Sequence, residues 1–158
     1  MKNNIIAACL FLFTLAFQTQ TFAQESQLLT KNKSFLGAIA KMKSYKAIYQ
    51  LDSDDPKIIA KAFRNINNAL KDPRLQGKLE IELIAFSGGT EAFKKSNSQY
   101  EAALKDLIEK GVHVVQCLNT LEERKIAKSE LYDFLAYVPS GNGELILRAS
   151  EGWVIVKP

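Results

Sequence analysis

Short apolar runs of strand type alternate with helical patterns along most of this chain, and that alternation limits the fold more than any other feature. The first run is Tyr45–Leu51, where Ala47, Ile48, Tyr49 and Leu51 supply the apolar character of a strand covered on both faces. It stops at Asp52-Ser53-Asp54-Asp55-Pro56, and an acidic residue before a proline signals a helix start. Ile58, Ile59, Ala62, Phe63, Ile66, Ala69 and Leu70 then recur at three-to-four spacing, which predicts an amphipathic helix to about Leu70. Residues 79–86 read as a second strand whose alternating start lies nearer solvent, followed by Ser87-Gly88-Gly89-Thr90. Ser98–Lys110 reads as a helix, and Gly111 ends it. A third strand over 112–117 ends at Cys117. Short strands at 135–138 and 153–157 flank a last helix, placed to begin at Glu144 and end at Glu151-Gly152. Strand and helix in such alternation imply a three-layer α/β domain with a mostly parallel sheet. Its strand ends bring together Asp52–Asp55, Ser87–Thr90, Cys117–Thr120 and Pro139–Gly141, and open parallel sheets place ligands at that edge.

The first 23 residues have a different character. Lys2 precedes an apolar stretch from Ile5 to Phe17, and Thr21-Phe22-Ala23 gives a small-residue ending. This is the pattern of a cleavable secretory signal, so the mature chain is expected to begin at Gln24 and to be exported, in a bacterium to the periplasm. The apolar stretch is too short to span a bilayer comfortably, so no membrane association is expected after cleavage. Residues 24–44 read as a linker or a loosely packed N-terminal helix, and 45–158 as the folded domain. Cys9 falls in the signal, which leaves Cys117 as the one thiol of the mature chain. The net charge is +4, but the basic residues are scattered among acidic ones, which argues against a nucleic-acid surface.

Several chemistries are tested against these positions. His113 is the only histidine, four residues before Cys117 on the same strand. At strand rise that is about 13 Å, too far for a base to reach the thiol, so His113 reads as structural or surface. Asp52, Asp54 and Asp55 could hold a hard cation, but a helix cap explains Asp54 or Asp55 as well, and Asp52 at the strand end is the residue left to account for. There is no Cys/His set for zinc, no G-x-S-x-G serine and no nucleotide-binding glycine fingerprint. Cys117 is either a buried structural thiol or a reactive one. Thr120 with Glu123 has the form of a capping box, so a helix opens after the cysteine and carries Arg124 and Lys125. Helix N-termini and cations favour a thiolate.

The stretches I-Y-Q-L-D-S-D-D-P at 48–56, R-N-I-N-N-A-L at 64–70, G-V-H-V-V-Q-C-L-N-T-L at 111–121, V-P-S-G-N-G-E-L-I at 138–146 and E-G-W-V-I-V-K-P at 151–158 resemble the DsrE/DsrF-like family of small sulfur-relay proteins. The resemblance covers Tyr45 to Pro158. It implies a three-layer α/β/α sandwich with a five-stranded parallel sheet, and a homotrimer or a homohexamer built from trimers. It also implies that Cys117, just after the third strand, carries sulfur as a persulfide and passes it to a partner, so a sulfur donor or acceptor protein is an expected partner. Asn119 and Thr120 match the turn that follows. The expected pocket is therefore Cys117 with Asp52, Ser87, Gly88, Gly89, Asn119, Thr120, Ser140 and Gly141. Backbone N–H groups of Leu118–Thr120 and Gly88–Gly89 are expected to hold an anion there. No metal and no organic cofactor is expected. Two functions stay open: a sulfur carrier or sulfurtransferase, and a non-enzymatic oligomeric protein that binds a small ligand in the same pocket.

Overall fold

The computed structural model describes residues 26–158. The signal-sequence reading and Cys9 fall on residues 1–25, outside the described residues. Residues 26–33 form a helix, α1, and 35–44 continue without regular structure. The chain divides after Ile39, and Ala40–Pro158 forms one compact unit.

Within that unit the order is β1 (Tyr45–Leu51), α2 (Pro56–Lys71), β2 (Leu79–Ala85), α3 (Glu101–Glu109), β3 (His113–Cys117), α4 (Leu118–Arg124), β4 (Ala136–Val138), α5 (Gly141–Ser150) and β5 (Val154–Val156). Two 3-10 segments, Ser87–Phe93 and Lys95–Tyr100, lead from β2 into α3. The five strands form one sheet in the order β4-β3-β2-β1-β5, every neighbouring pair parallel. The expected five-stranded parallel α/β fold is what the chain adopts.

Local chemistry sets most boundaries. The Asp55 carboxylate accepts from the Lys57 N–H at 2.8 Å, with Pro56 at the first helical position of α2. That hydrogen bond satisfies one of the N–H groups a helix start leaves open. At the end of α3 the Val112 N–H turns back to the Leu107 carbonyl, and Gly111 takes φ 87°, so β3 starts at His113 rather than Val112. The Ser140 hydroxyl accepts from the Gly143 N–H at 3.2 Å. This cap makes Gly141-Asn142-Gly143 the first turn of α5, three residues earlier than the apolar pattern places it. A short 3-10 turn, Lys128–Glu130, follows α4, and Leu131 after it bridges Lys94.

The two faces of the sheet are covered differently. On one, Tyr49, Leu51, Ile81, Leu83, Ala85 and Val114 meet Ile59, Phe63 and Ile66 of α2, Leu104 and Leu107 of α3, and Phe93. On the other, Ile48, Ile84 and Val115 meet Leu145 of α5 and Trp153, with Phe86 and Val138 at the margin. Side chains alternate between faces along a strand, so Cys117, two residues after Val115, belongs to this second face.

Candidate functional site

Cys117 is the last residue of β3 and the cap of α4, which follows without a turn. It is a free thiol, 4% exposed. A cavity of about 280 Å3 opens over it. Phe86 and Ser87 from the end of β2 line one side, and Asn119, Thr120 and Glu123 of α4 line another. Ser140, Gly141 and Asn142 at the start of α5 complete it.

Hydrogen bonds between the strand-end segments tie this rim together. The Ser87 N–H donates to the Thr120 hydroxyl at 3.0 Å, 33 residues away in sequence. The Asn119 N–H donates to the Pro139 carbonyl at 3.1 Å. The segments after β2, β3 and the one before α5 are thereby linked in a row. Behind the thiol, the wholly buried Gln116 donates from Nε2 to the Cys117 carbonyl at 2.8 Å and to the Thr90 hydroxyl at 3.0 Å. Ser87 has φ 49°, a left-handed conformation that costs a serine energy and that structures tend to keep at functional positions. Its hydroxyl accepts from Arg124 Nη2 at 3.5 Å, which brings one guanidinium to the mouth of the cavity.

Six of the nine residues read from sequence thus surround one cavity: Cys117, Ser87, Asn119, Thr120, Ser140 and Gly141. Asp52, Gly88 and Gly89 lie outside its lining. Asp52 directly follows β1 and accepts from Gln50 Nε2 and Lys157 Nζ, so it is engaged toward the β5 edge. A Cβ on Gly89 would stand 2.0 Å from the Leu51 carbonyl oxygen, and one on Gly88 2.8 Å from the Asp54 nitrogen. These glycines let the chain leaving β2 press against the chain leaving β1, which is a packing role. Two of the expected anion donors are also committed elsewhere, because the Asn119 N–H serves Pro139 and the Gly89 N–H serves Phe86. Thr120 lies inside α4 and binds Ser87 in place of capping its own helix. Phe86, Glu123 and Asn142 were missed. Phe86 reads only as the end of a strand, while Asn142 between two glycines would have pointed to a helix start had Ser140 been taken as the cap.

His113 is exposed at the far end of β3, as its spacing required. Among the described residues no group of three or more His, Cys, Asp or Glu side chains is placed to hold a metal ion. A larger cavity, about 580 Å3, lies between Lys95, Glu101, Lys105, Tyr132, Asp133 and Phe134. It holds no thiol, and its charges pair internally as Lys95–Asp133 and Lys105–Glu101.

On the same face as Cys117, Glu82 in the middle of β2 is 1% exposed. Arg148 of α5 reaches its Oε2 with both Nε and Nη2 at 2.8 Å and lies 4.3 Å over the Trp153 ring. Burial pushes the Glu82 carboxyl above the usual carboxylate range, and Arg148 opposes that shift without cancelling it.

The model of the DsrE/DsrF-like family matches residues 45–158. None of the curated proteins compared with the chain matches it. A solved protein of unknown function from Methanobacterium thermoautotrophicum is 27% identical, with a TM-score of 0.67 over 73% of this chain and 100% of that one. A conserved protein of unknown function from Bacteroides thetaiotaomicron is similar in fold alone, at 12% identity and a TM-score of 0.57, over 77% of this chain and 100% of that one.

Proposed function

The chain belongs to the DsrE/DsrF-like family, and from that premise we propose that it is a sulfur carrier or sulfurtransferase-like protein holding sulfane sulfur as a persulfide on Cys117. The observation that carries this reading is a free thiol at the end of β3, facing a polar cavity bounded by the ends of β2 and β3 and the start of α5. The thiol loses its proton to solvent and attacks the outer sulfur of a donor such as thiosulfate. The new Cys–S–S bond forms as the donor's S–S bond breaks, and sulfite leaves with the bonding pair. No external oxidant is needed. Arg124 at the mouth supplies positive charge for an anionic donor.

Two further parts of the proposal concern context. The 1–23 pattern supports export. Assembly as a trimer or hexamer is supported by Ile146 and Leu147 on α5 and Val154 and Ile155 on the edge strand β5, which leave apolar surface exposed. Tyr132 and Leu135 are buried within the chain itself, so the 132–137 segment has less to offer a neighbour than its composition suggests.

The test is intact-mass spectrometry after incubation with thiosulfate or polysulfide. A gain of about 32 Da per sulfur is expected, removable by a reducing thiol and absent in Cys117→Ser. A wild-type protein that gains no mass under any donor removes the sulfur-carrier reading and leaves a small-ligand-binding protein.

A further inference from the structure

We infer that the first turn of α5 is an anion seat. The N–H groups of Gly141 and Asn142 hold the sulfonate end of an anionic sulfane-sulfur compound of the thiosulfate kind, while its outer sulfur meets Cys117. This inference rests on the sulfur-carrier reading and names the class of its substrate. Ser140 caps the helix: its hydroxyl accepts from the Gly143 N–H, and its carbonyl accepts from the Glu144 N–H. The N–H groups of Gly141 and Asn142 lie between these, and among the described residues neither has a hydrogen-bond partner. Gly141 is nonetheless buried, and a buried backbone donor is rarely left open. α5 runs for ten residues, so its start also carries the positive end of a helix dipole. Open N–H groups and that dipole together favour an anion. Of α5, only Ser140, Gly141 and Asn142 line the cavity, so the cavity lies at the helix start.

A second observation is independent of the helix. Cys117 comes from β3, lines the same cavity and is 4% exposed, and among the described residues no hydrogen bond reaches its Sγ. As a thiolate or a persulfide it is a nearly buried negative charge without a partner, which is costly unless donors face it. The cavity thus joins donors that lack an acceptor to a sulfur that lacks a donor. Other N–H groups near the cavity are engaged: Ser87 with Thr120, Asn119 with Pro139 and Gly89 with Phe86. Glu123 brings a carboxylate to the lining, but it is exposed, where solvent and salt screen it. With the sulfonate held at α5, the Cys117 thiolate takes the outer sulfur of thiosulfate. The new Cys–S–S bond forms as the donor's S–S bond breaks. Sulfite leaves with the bonding pair, its charge still against the same N–H groups.

The experiment titrates the nitrogen-15-labelled full chain with sodium sulfate, which has no sulfur to donate, and with sodium chloride at equal ionic strength. The amide signals of Gly141 and Asn142 should shift saturably with sulfate and not with chloride. Asn142→Pro removes one of the two donors at a first-turn position that tolerates proline, and should weaken sulfate binding about tenfold. Asn142→Ala keeps the N–H and should stay within about twofold of wild type. Thiosulfate loading of Cys117, followed by intact mass at low thiosulfate, should slow about tenfold in Asn142→Pro alone. If sulfate leaves both amides unmoved, or if the proline and alanine variants weaken it equally, the inference is overturned. Sulfur added to Cys117 in that case leaves the sulfur-carrier reading standing. Sulfate held at α5 while thiosulfate adds no sulfur overturns the substrate assignment together with the reading beneath it. Should Asn142→Pro fail to fold, the wild-type titration decides by itself.

Discussion

The two faces of the sheet differ in what they bury. The face under α2 and α3 is the larger apolar layer, with Phe93, Ile66, Leu83, Leu104 and Leu107 all fully buried, interrupted by the buried Gln116–Thr90 hydrogen bond. The face under α5 has a small apolar cluster and, beside it, the Glu82–Arg148 pair and Cys117. A buried carboxylate and a thiol-lined cavity both work against stability, so they are supported only where another layer supplies the larger apolar gain. One face supplies most of the apolar burial, and the other carries the buried charge and the thiol.

The largest expected effect tests the first half of that contrast. Phe93→Ala should cost about 4 kcal/mol, since it opens a cavity in a layer that packs from both sides. Urea unfolding would measure it. A cost below that of any single change on the α5 face would break the contrast.

Arg148→Ala should come next, at about 3 kcal/mol near neutral pH, because Glu82 would be left buried and charged. The loss should shrink in acid, where Glu82 can take up a proton. Thermal melts of wild type and variant at two pH values separate this from simple loss of packing on Trp153, which would not vary with pH.

Cys117→Ser should cost about 1–2 kcal/mol, the penalty of placing a hydroxyl where a nearly buried thiol stood, and should abolish the sulfur adduct. A melting temperature unchanged from wild type would show that the side chain is wetter than its burial implies.

The smallest effect is a slope. The folded Glu82 pKa is raised, so the folded protein binds this proton more tightly than the unfolded chain does. Its contribution is fully present below the ordinary carboxylate pKa, about 4.3, and is lost as pH rises through the raised folded value. Glu82→Gln should remove that fall and leave stability at neutral pH unchanged or slightly higher. Denaturant midpoints measured across this pH window would reveal it. An equal slope in both proteins would assign it to other carboxylates.

Much of the fold was legible because its signals are local. Asp55-Pro56 starts α2 wherever the helix packs, and Gly111 and Gly152 end helices through φ values near 80–90° that favour glycine. The candidate site was legible in part for the same reason: Cys117, Asn119 and Ser140 sit at ends that periodicity marks. Errors came where a residue had two local roles. Thr120 and Glu123 have the spacing of a capping box, but Cys117 takes the N-cap position of α4, without a side-chain cap, and Thr120 serves Ser87. Gly88 and Gly89 follow a strand as ligand-binding glycines do, but the neighbouring β1 takes up their space.

The amino-acid sequence alone determined the alternation of strands and helices, the parallel sheet and the place of Cys117 at the end of its third strand. Those properties depend on residues within a few positions of one another. Only the tertiary structure decided which strand ends are neighbours. It set β1 beside both β2 and β5, which engages Asp52 with Lys157 and away from the cavity. It joined Phe86, Glu123 and Asn142 around the thiol, and it buried Glu82 under an arginine 66 positions later in the chain. The strand's own alternation cannot show whether a glutamate faces water or a distant guanidinium, because that depends on where α5 crosses the sheet.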